Sequence, residues 1–137
     1  MKNSLVGGLD DRQVKYLGPV HEGKKHDKKL CDEEGTRFPD GSELYRDTAY
    51  QGHGLPGTTV HQPKKKPRGG KLSAEDKAAN RLISGIRVVI EHIIAGVKRC
   101  RIVKDVFRNT KQGFDDLAME LACGLHNYRS SWRHQFY

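Results

Sequence analysis

The chain has 137 residues, which is enough for one domain with a modest core. Lysine and arginine total 25 against 17 aspartate and glutamate residues, and the net charge of +8 favours a polyanionic partner. Apolar residues make up 35% and charged residues 31%, so the composition argues against disorder and predicts a folded unit with long polar loops.

Membrane insertion, secretion and a disulfide framework are all disfavoured. No apolar run approaches the roughly 20 residues that span a bilayer, and the first residues lack the hydrophobic segment of a secretory signal. The cysteines Cys31, Cys100 and Cys123 are far apart and form no C-x-x-C pair, which argues against disulfides and cysteine-based zinc sites. We expect no membrane partner and a reducing, cytosolic or nuclear location.

The first half of the chain predicts strands with one short helix. Two runs of strand-forming residues flank Asp10 and Asp11, which predicts a β-hairpin closed by Pro19. Helix formers ending at a glycine predict a helix over Lys24–Glu34. The stretch Glu43–Asp47 follows a turn and reads as a strand that ends in an acid.

Residues 62–72 form a basic loop that follows a strand predicted over Thr58–His61. The loop contains "KKKPRGGK" and carries no acid. Its cations are Lys64, Lys65, Lys66, Arg68 and Lys71. Two interpretations stay open, a solvated turn between two elements and a clamp on phosphate groups.

Two helices are predicted in the second half. The first runs from Ser73 to Arg101, because Ser73 and Asp76 have the spacing of a capping box and apolar residues recur with a period of 3.6. That apolar stripe consists of Ile83, Ile86, Ile90, Ile93, Ile94 and Val97. The second helix is predicted over Gln112–Arg129.

Glu91 is a single acid in the centre of an otherwise apolar and basic helix. At about 100° per residue it lies on the shoulder of the stripe, displaced by about 110° from its centre. One interpretation is a surface ion pair with Arg87, one turn earlier, worth a few tenths of a kcal/mol. The other is a metal ligand, which needs a second carboxylate from another element, and Asp47 at the end of its strand is the best candidate. Carboxylates suit Mg²⁺ or Mn²⁺, and the histidines show no paired spacing typical of zinc.

Several stretches in order resemble one known family. "LYRDTAYQG", "KKKPRGG", "RVVIEHIIAGVKRCRI" and "FRN" resemble the C-terminal part of DDE transposases of the insertion-sequence-five-like group, which is related to the Harbinger nucleases. The resemblance covers residues 1–137, from "YLGPVHEGKKHDKKLCDEEG" to "DDLAMELACGLHNYR".

The resemblance implies an α/β, RNase H-like fold and a site of three carboxylates that binds two Mg²⁺ or Mn²⁺ ions. Asp47 matches the second acid, in a D-x-x-Y context completed by Tyr50. Glu91 matches the third acid, in an R-x-x-x-E context with Arg87 as its basic residue. The pair His26 and Asp27 matches another recurring position, for which we expect a structural role first and support of the active site second.

The implied activity is DNA transposition by metal-dependent phosphodiester cleavage and strand transfer, in the bacterial cytoplasm and at the nucleoid. The implied partners are the ends of the element and the target DNA, and a homo-oligomer of the complete enzyme is left open. The expected DNA-binding residues are Lys64, Lys65, Lys66, Arg68, Arg87 and Lys98. Two carboxylates that share an ion should come within roughly 4 to 6 Å of each other.

The chain departs from the family pattern at its start. The family's first catalytic aspartate lies upstream of the hairpin, so we expect that acid to be missing and the RNase H-like domain to be incomplete. Asp10 and Asp11 lie in the hairpin turn and are not assigned its role. The alternative function is a non-catalytic basic remnant that binds DNA. RNA binding is a weaker alternative, because the tyrosines form no RNP-like motif.

Overall fold

A computed structural model describes residues 2–21, 23–47, 55–105 and 108–133 of the chain. The architecture is mixed α/β. The chain divides into two compact units. We call Met1–Gly23 with Val89–Tyr137 the terminal unit and Lys24–Val88 the middle unit. Within the described ranges, no helix combines the length and the apolar character needed to cross a membrane.

The terminal unit begins with the predicted β-hairpin. Strands β1 (Leu5–Gly7) and β2 (Val14–Leu17) pair antiparallel. In the turn, the carboxylate of Asp11 accepts a hydrogen bond from the backbone N–H of Gln13 at 3.1 Å, and Arg12 adopts a left-handed φ of 54°. Side chains that accept a backbone N–H two residues ahead are typical of tight turns, which explains the role of Asp11 in the predicted hairpin.

The long helix is shorter than predicted. Helix α2 spans Ala74–Val97 and is followed by a turn and by the short helix α3 (Arg101–Lys104), whereas one continuous helix to Arg101 was predicted. In an unbroken helix, Val103 would lie about 240° around the axis from Val97 and would point away from the core. The turn lets Val103 pack against the core cluster that contains Val97. The basic residues after Val97 were therefore wrongly read as the last turn of α2.

Helix α4 (Phe114–Arg133) completes the terminal unit and ends four residues later than the predicted Arg129. One face buries Ala118, Ala122 and Cys123, of which the last two join Val97 in the core cluster. A second face leaves large apolar side chains exposed. These are Leu117, Leu121, Leu125, Tyr128 and Trp132.

Side-chain hydrogen bonds attach α4 to its neighbours in the terminal unit. The Asn127 amide accepts from the backbone N–H of Val14 at 2.7 Å and donates to the Val14 carbonyl at 2.9 Å. The buried His126 places Nε2 2.9 Å from the carbonyl oxygen of Arg12. Arg129 donates to the carbonyl oxygen of Gly96 in α2 at 2.8 Å. These bonds satisfy backbone groups of the hairpin turn, strand β2 and α2.

The middle unit contains α1, a parallel strand pair and the first part of α2. Helix α1 (Asp27–Glu34) begins three residues after the predicted Lys24. Strands β3 (Ser42–Tyr45) and β4 (Thr58–His61) pair in parallel. The described strands thus form two separate two-stranded sheets, and an RNase H-like central sheet stays a prediction.

Candidate functional site

Asp47 lies just beyond the end of strand β3. The strand pairs in register with β4 up to Tyr45 opposite His61, and their rings stack with centroids 4.5 Å apart. One further hydrogen bond, from the N–H of Arg46 to the carbonyl oxygen of His61, carries the strand pairing to the residue before Asp47. The backbone that leads to the carboxylate is therefore held by strand pairing and ring stacking.

Arg87 of α2 is an ion-pair partner of Asp47. Its Nη2 donates to Oδ2 of Asp47 at 3.1 Å, and the side chains are 31% and 44% exposed, respectively. The two residues are 40 positions apart in the sequence, and both belong to the middle unit. The ion pair with Asp47 was not predicted from the helix pattern, and the surface pair between Arg87 and Glu91 stays a prediction.

Glu91 lies in α2 with an exposed side chain. It belongs to the terminal unit, whereas Asp47 belongs to the middle unit. The predicted approach of these two carboxylates to within metal-binding distance stays a prediction.

The basic loop is attached to α2 by a side chain that the sequence analysis did not select. Oδ1 of Asn80 accepts a hydrogen bond from the N–H of Lys64 at 2.8 Å, and Nδ2 of Asn80 donates to the Lys64 carbonyl at 3.0 Å. The ammonium of Lys64 lies 3.2 Å from Oδ2 of Asp76. Lys65, Lys66 and Arg68 have exposed side chains. The loop is thus fixed at Lys64 and presents the cations that follow.

A sequence signal for Asn80 did exist. Asp76, Asn80, Arg87 and Glu91 recur at steps of four, seven and four residues, which puts them in one sector of about 60° at the edge of the isoleucine stripe. Polar residues that line the edge of a buried stripe are placed to contact neighbouring backbone. Asn80 carries no charge and belongs to no capping pattern, so it does not stand out in this sector as Asp76, Arg87 and Glu91 do.

The remaining predicted residues have mixed positions. His26 caps α1, since its Nδ1 accepts from the N–H of Lys28 at 3.3 Å, and Asp27 is the first residue of that helix. Lys98 is exposed just after the end of α2 and lines a cavity of the terminal unit. Tyr50 lies outside the described residues.

The carboxylate of Asp11, which was not assigned to the site, serves the hairpin turn. Its carboxylate forms an ion pair with Lys15 as well as accepting from Gln13. Burial raises the pKa of the Asp11 carboxyl, but the hydrogen bonds from Lys15 and Gln13 together outweigh it and hold that pKa below its ordinary value. The charge of Asp11 is thereby engaged within the turn.

No group of three or more His, Cys, Asp or Glu side chains is arranged to hold a metal ion in the part of the chain that the structure describes. The donors that the sequence predicted are nevertheless chemically suited to a hard cation. Asp47 and Glu91 are carboxylates with solvent-accessible side chains, and carboxylate oxygens are the ligands that Mg²⁺ and Mn²⁺ prefer.

A half-exposed carboxylate just beyond a paired strand, joined by an ion pair to a helix, is chemically suited to a site for a hard divalent cation. Among known proteins, the family model described as DDE superfamily endonuclease matches residues 2–127. The chain therefore belongs to the DDE superfamily of endonucleases.

One curated relative is a probable transposase for insertion sequence element IS702 from Microchaete diplosiphon. It is 33% identical over 132 residues, which cover 93% of this chain and 46% of the relative. The chain thus spans about half the length of this relative. No solved structure matches the chain significantly.

Proposed function

We propose that the chain supplies two metal-binding carboxylates, Asp47 and Glu91, and a DNA-binding loop to a transposase that cleaves and joins DNA. The observation that carries the proposal is the position of Asp47, half exposed directly beyond the paired strand β3 and within ion-pair distance of Arg87. The family match and the transposase relative support the same activity. An RNase H-like fold is part of the proposal.

Asp47 and Glu91 would hold the divalent ions, for which Mg²⁺ or Mn²⁺ is proposed. Such ions would activate a water or a 3′-hydroxyl and stabilise the leaving oxygen of a DNA phosphodiester. Asp47 contributes a carboxylate whose backbone is held by strand pairing, and Arg87 forms an ion pair with that carboxylate. The ends of the element and the target DNA are the proposed partners, in the cytoplasm and at the nucleoid, and a homo-oligomer of the complete enzyme remains open.

Mn²⁺ binding to the purified chain, followed by electron paramagnetic resonance, tests whether the two acids share an ion. Asp47→Asn and Glu91→Gln should each weaken binding about tenfold or more, because each removes a charged ligand. The double variant should be little weaker than either single variant, because residues that serve one site are strongly non-additive.

Glu120→Gln is the matched control, since Glu120 is an exposed carboxylate on α4 and should leave the Mn²⁺ affinity unchanged. Independent, additive losses in the double variant would assign the two acids to separate ions. If the Mn²⁺ affinity stayed at the wild-type value in both Asp47→Asn and Glu91→Gln, the proposed site would be contradicted.

A second candidate function is DNA binding without catalysis. It is favoured by the exposed cations Lys65, Lys66 and Arg68 of the basic loop, which need no metal ion to bind phosphate groups. It predicts salt-dependent binding to duplex DNA through the basic loop, with no Mn²⁺ site that depends on both Asp47 and Glu91. The same titration separates the two candidates.

A further inference from the structure

Asn80 holds the backbone of the basic loop in a way that has a consequence for DNA binding. Its side-chain amide pairs with both the N–H and the carbonyl of Lys64, at 2.8 and 3.0 Å. A primary amide that bonds both groups of one residue imitates a neighbouring strand and fixes that residue in position and orientation. These two hydrogen bonds hold Lys64, which lies three residues after the end of β4 at His61.

The loop beyond Lys64 is also restricted locally. Pro67 follows Lys66 and disfavours helical backbone there, which leaves Lys66 in extended conformations. The N–H of Gly70 donates to the carbonyl of Pro67 at 3.2 Å, and Gly69 has a φ of 72°, so Arg68 occupies the second position of a type II turn. The loop therefore has few conformations to lose when it binds a ligand.

Lys64 differs from the other loop cations in its partner. Its ammonium lies 3.2 Å from Oδ2 of Asp76, and Asp76 is itself held by α2, where its N–H donates to Oγ of Ser73. A lysine whose charge is matched by a carboxylate releases fewer counterions when a phosphate approaches. Lys65, Lys66 and Arg68 are exposed.

We propose that Asn80 is a positioning residue that anchors the basic loop, so that Lys65, Lys66 and Arg68, rather than Lys64, contact DNA phosphates. The proposal rests on the proposed function, because it assumes that this loop binds DNA. Asn80 itself carries no charge, and it acts only by fixing where the charged residues are. Its loss should therefore lower the number of phosphates contacted without changing the net charge of the protein.

The test measures the affinity for a labelled DNA duplex by fluorescence anisotropy at several salt concentrations. The slope of log affinity against log salt counts phosphate contacts, at roughly 0.9 per contact. Asn80→Ala should weaken binding about three- to tenfold and reduce the slope by about one or more. A purely structural residue would lower the thermal midpoint and leave this slope unchanged.

Ser84→Ala is the matched control for Asn80→Ala. Ser84 donates to the carbonyl of Asn80 on the same helix, so its substitution removes one uncharged hydrogen bond where Asn80→Ala removes two. The slope should stay at the wild-type value. A slope that is the same in Asn80→Ala and Ser84→Ala would overturn the proposal.

A second pair of variants keeps the test decisive if Asn80→Ala does not fold. Asn80→Asp retains the acceptor for the N–H of Lys64 but loses the donor to its carbonyl, and Ala79→Asp adds the same charge at the neighbouring exposed position. Asn80→Asp should bind DNA more weakly than Ala79→Asp. Equal affinities would overturn the anchoring role.

Charge substitutions separate this inference from the proposed function. The triple change of Lys65, Lys66 and Arg68 to glutamine should lower the slope by about two to three, whereas Lys64→Gln should lower it by less than Lys65→Gln. A triple variant with an unchanged slope would refute DNA binding by the loop itself. A lowered slope in the triple variant with a wild-type slope in Asn80→Ala would refute only the role of Asn80.

Discussion

The guanidinium of Arg87 lies close enough to Asp47 to repel a cation bound by that carboxylate. At 3.1 Å from Oδ2, it places a positive charge against the carboxylate that would hold a cation. Two unit charges about 4 Å apart interact by about 1 kcal/mol in water and more near a protein surface. A divalent ion must therefore displace Arg87 or bind against its charge.

Arg87→Gln should consequently bind Mn²⁺ more tightly than the wild-type chain. The substitution removes the competing cation while leaving Asp47 and its strand intact. Because both side chains are partly exposed and screened by solvent, we expect a gain of roughly five- to tenfold in affinity. Isothermal titration with Mn²⁺ measures it directly.

Arg81→Gln provides the control, since Arg81 is an exposed arginine on the same helix and the change in net charge is the same. Its Mn²⁺ affinity should stay near the wild-type value. Weaker binding in Arg87→Gln would mean that orienting the Asp47 carboxylate matters more than the repulsion between the two cations.

At the scale of elements, α2 contains two glycines that differ in the space around them. A Cβ on Gly96 would overlap Nδ1 of His126, a buried ring that is held by its hydrogen bond to the Arg12 carbonyl. A Cβ on Gly85 would meet nothing within 4 Å. Glycine inside a helix is destabilising relative to alanine where space is free. The same substitution should therefore have opposite effects on stability at the two positions.

Gly96→Ala should lower the free energy of unfolding by about 1 to 3 kcal/mol, because the His126 ring cannot move without losing its bond. Gly85→Ala should raise it by about 0.5 to 1 kcal/mol through helix propensity alone. Urea denaturation of the two variants measures both values. If Gly96→Ala were more stable than the wild-type chain, His126 and α4 would have to shift at little cost to accommodate the added Cβ.

The elements that sequence patterns predicted correctly are those whose signals are local. The acids of the hairpin turn, the alternation of β4 and the Ser73 cap of α2 are read within a few residues, and Oγ of Ser73 does accept from the N–H of Asp76. The end of α2 was wrong, because the packing of Val103 decides it. Periodicity carries no information about where a helix must turn to reach its core.

At the scale of the whole molecule, burial makes stability depend on pH through thiols. Burial, and after it the neighbouring Cys100, raises the pKa of the Cys123 thiol above its ordinary value. Burial, and after it the negative charge of Glu34, also raises the pKa of the Cys31 thiol. The folded chain therefore keeps protons that the unfolded chain releases once the pH passes the ordinary thiol pKa.

The free energy of unfolding should accordingly be unaffected by these thiols below the ordinary pKa and should fall as pH rises through it towards the folded pKa. Cys123→Ala should be less stable at neutral pH, because it removes a buried side chain, but its stability should fall less steeply at alkaline pH. Denaturant unfolding between about pH 7 and pH 10 measures both effects.

Val97→Ala is the matched comparison, since it removes buried atoms from the same core cluster without removing a titrating group. It should lose stability at every pH and keep the alkaline slope of the wild-type chain. If the stability of Cys123→Ala fell as steeply with pH as that of the wild-type chain, groups other than the Cys123 thiol would cause the loss of stability at alkaline pH.

The sequence predicted the elements that position Asp47 and Arg87 but not the contact between the two residues. Asp47 after a strand and Arg87 on a helix are visible in the sequence, whereas their ion pair joins residues 40 positions apart. The grip of Asn80 on Lys64 spans 16 positions and involves backbone atoms, which no side-chain pattern reports. Such pairings follow from how strand, loop and helix pack in the middle unit.

The exposed apolar face of α4 ends in the single tryptophan of the chain, Trp132, which is 47% exposed. Its ring meets that of Tyr128 edge-on, with centroids 6.0 Å apart. Intrinsic fluorescence therefore reports on the last turns of α4, whereas circular dichroism weights the longer α2 most heavily. Melting curves recorded by both signals coincide if the chain unfolds in one step, and they separate if α4 detaches first.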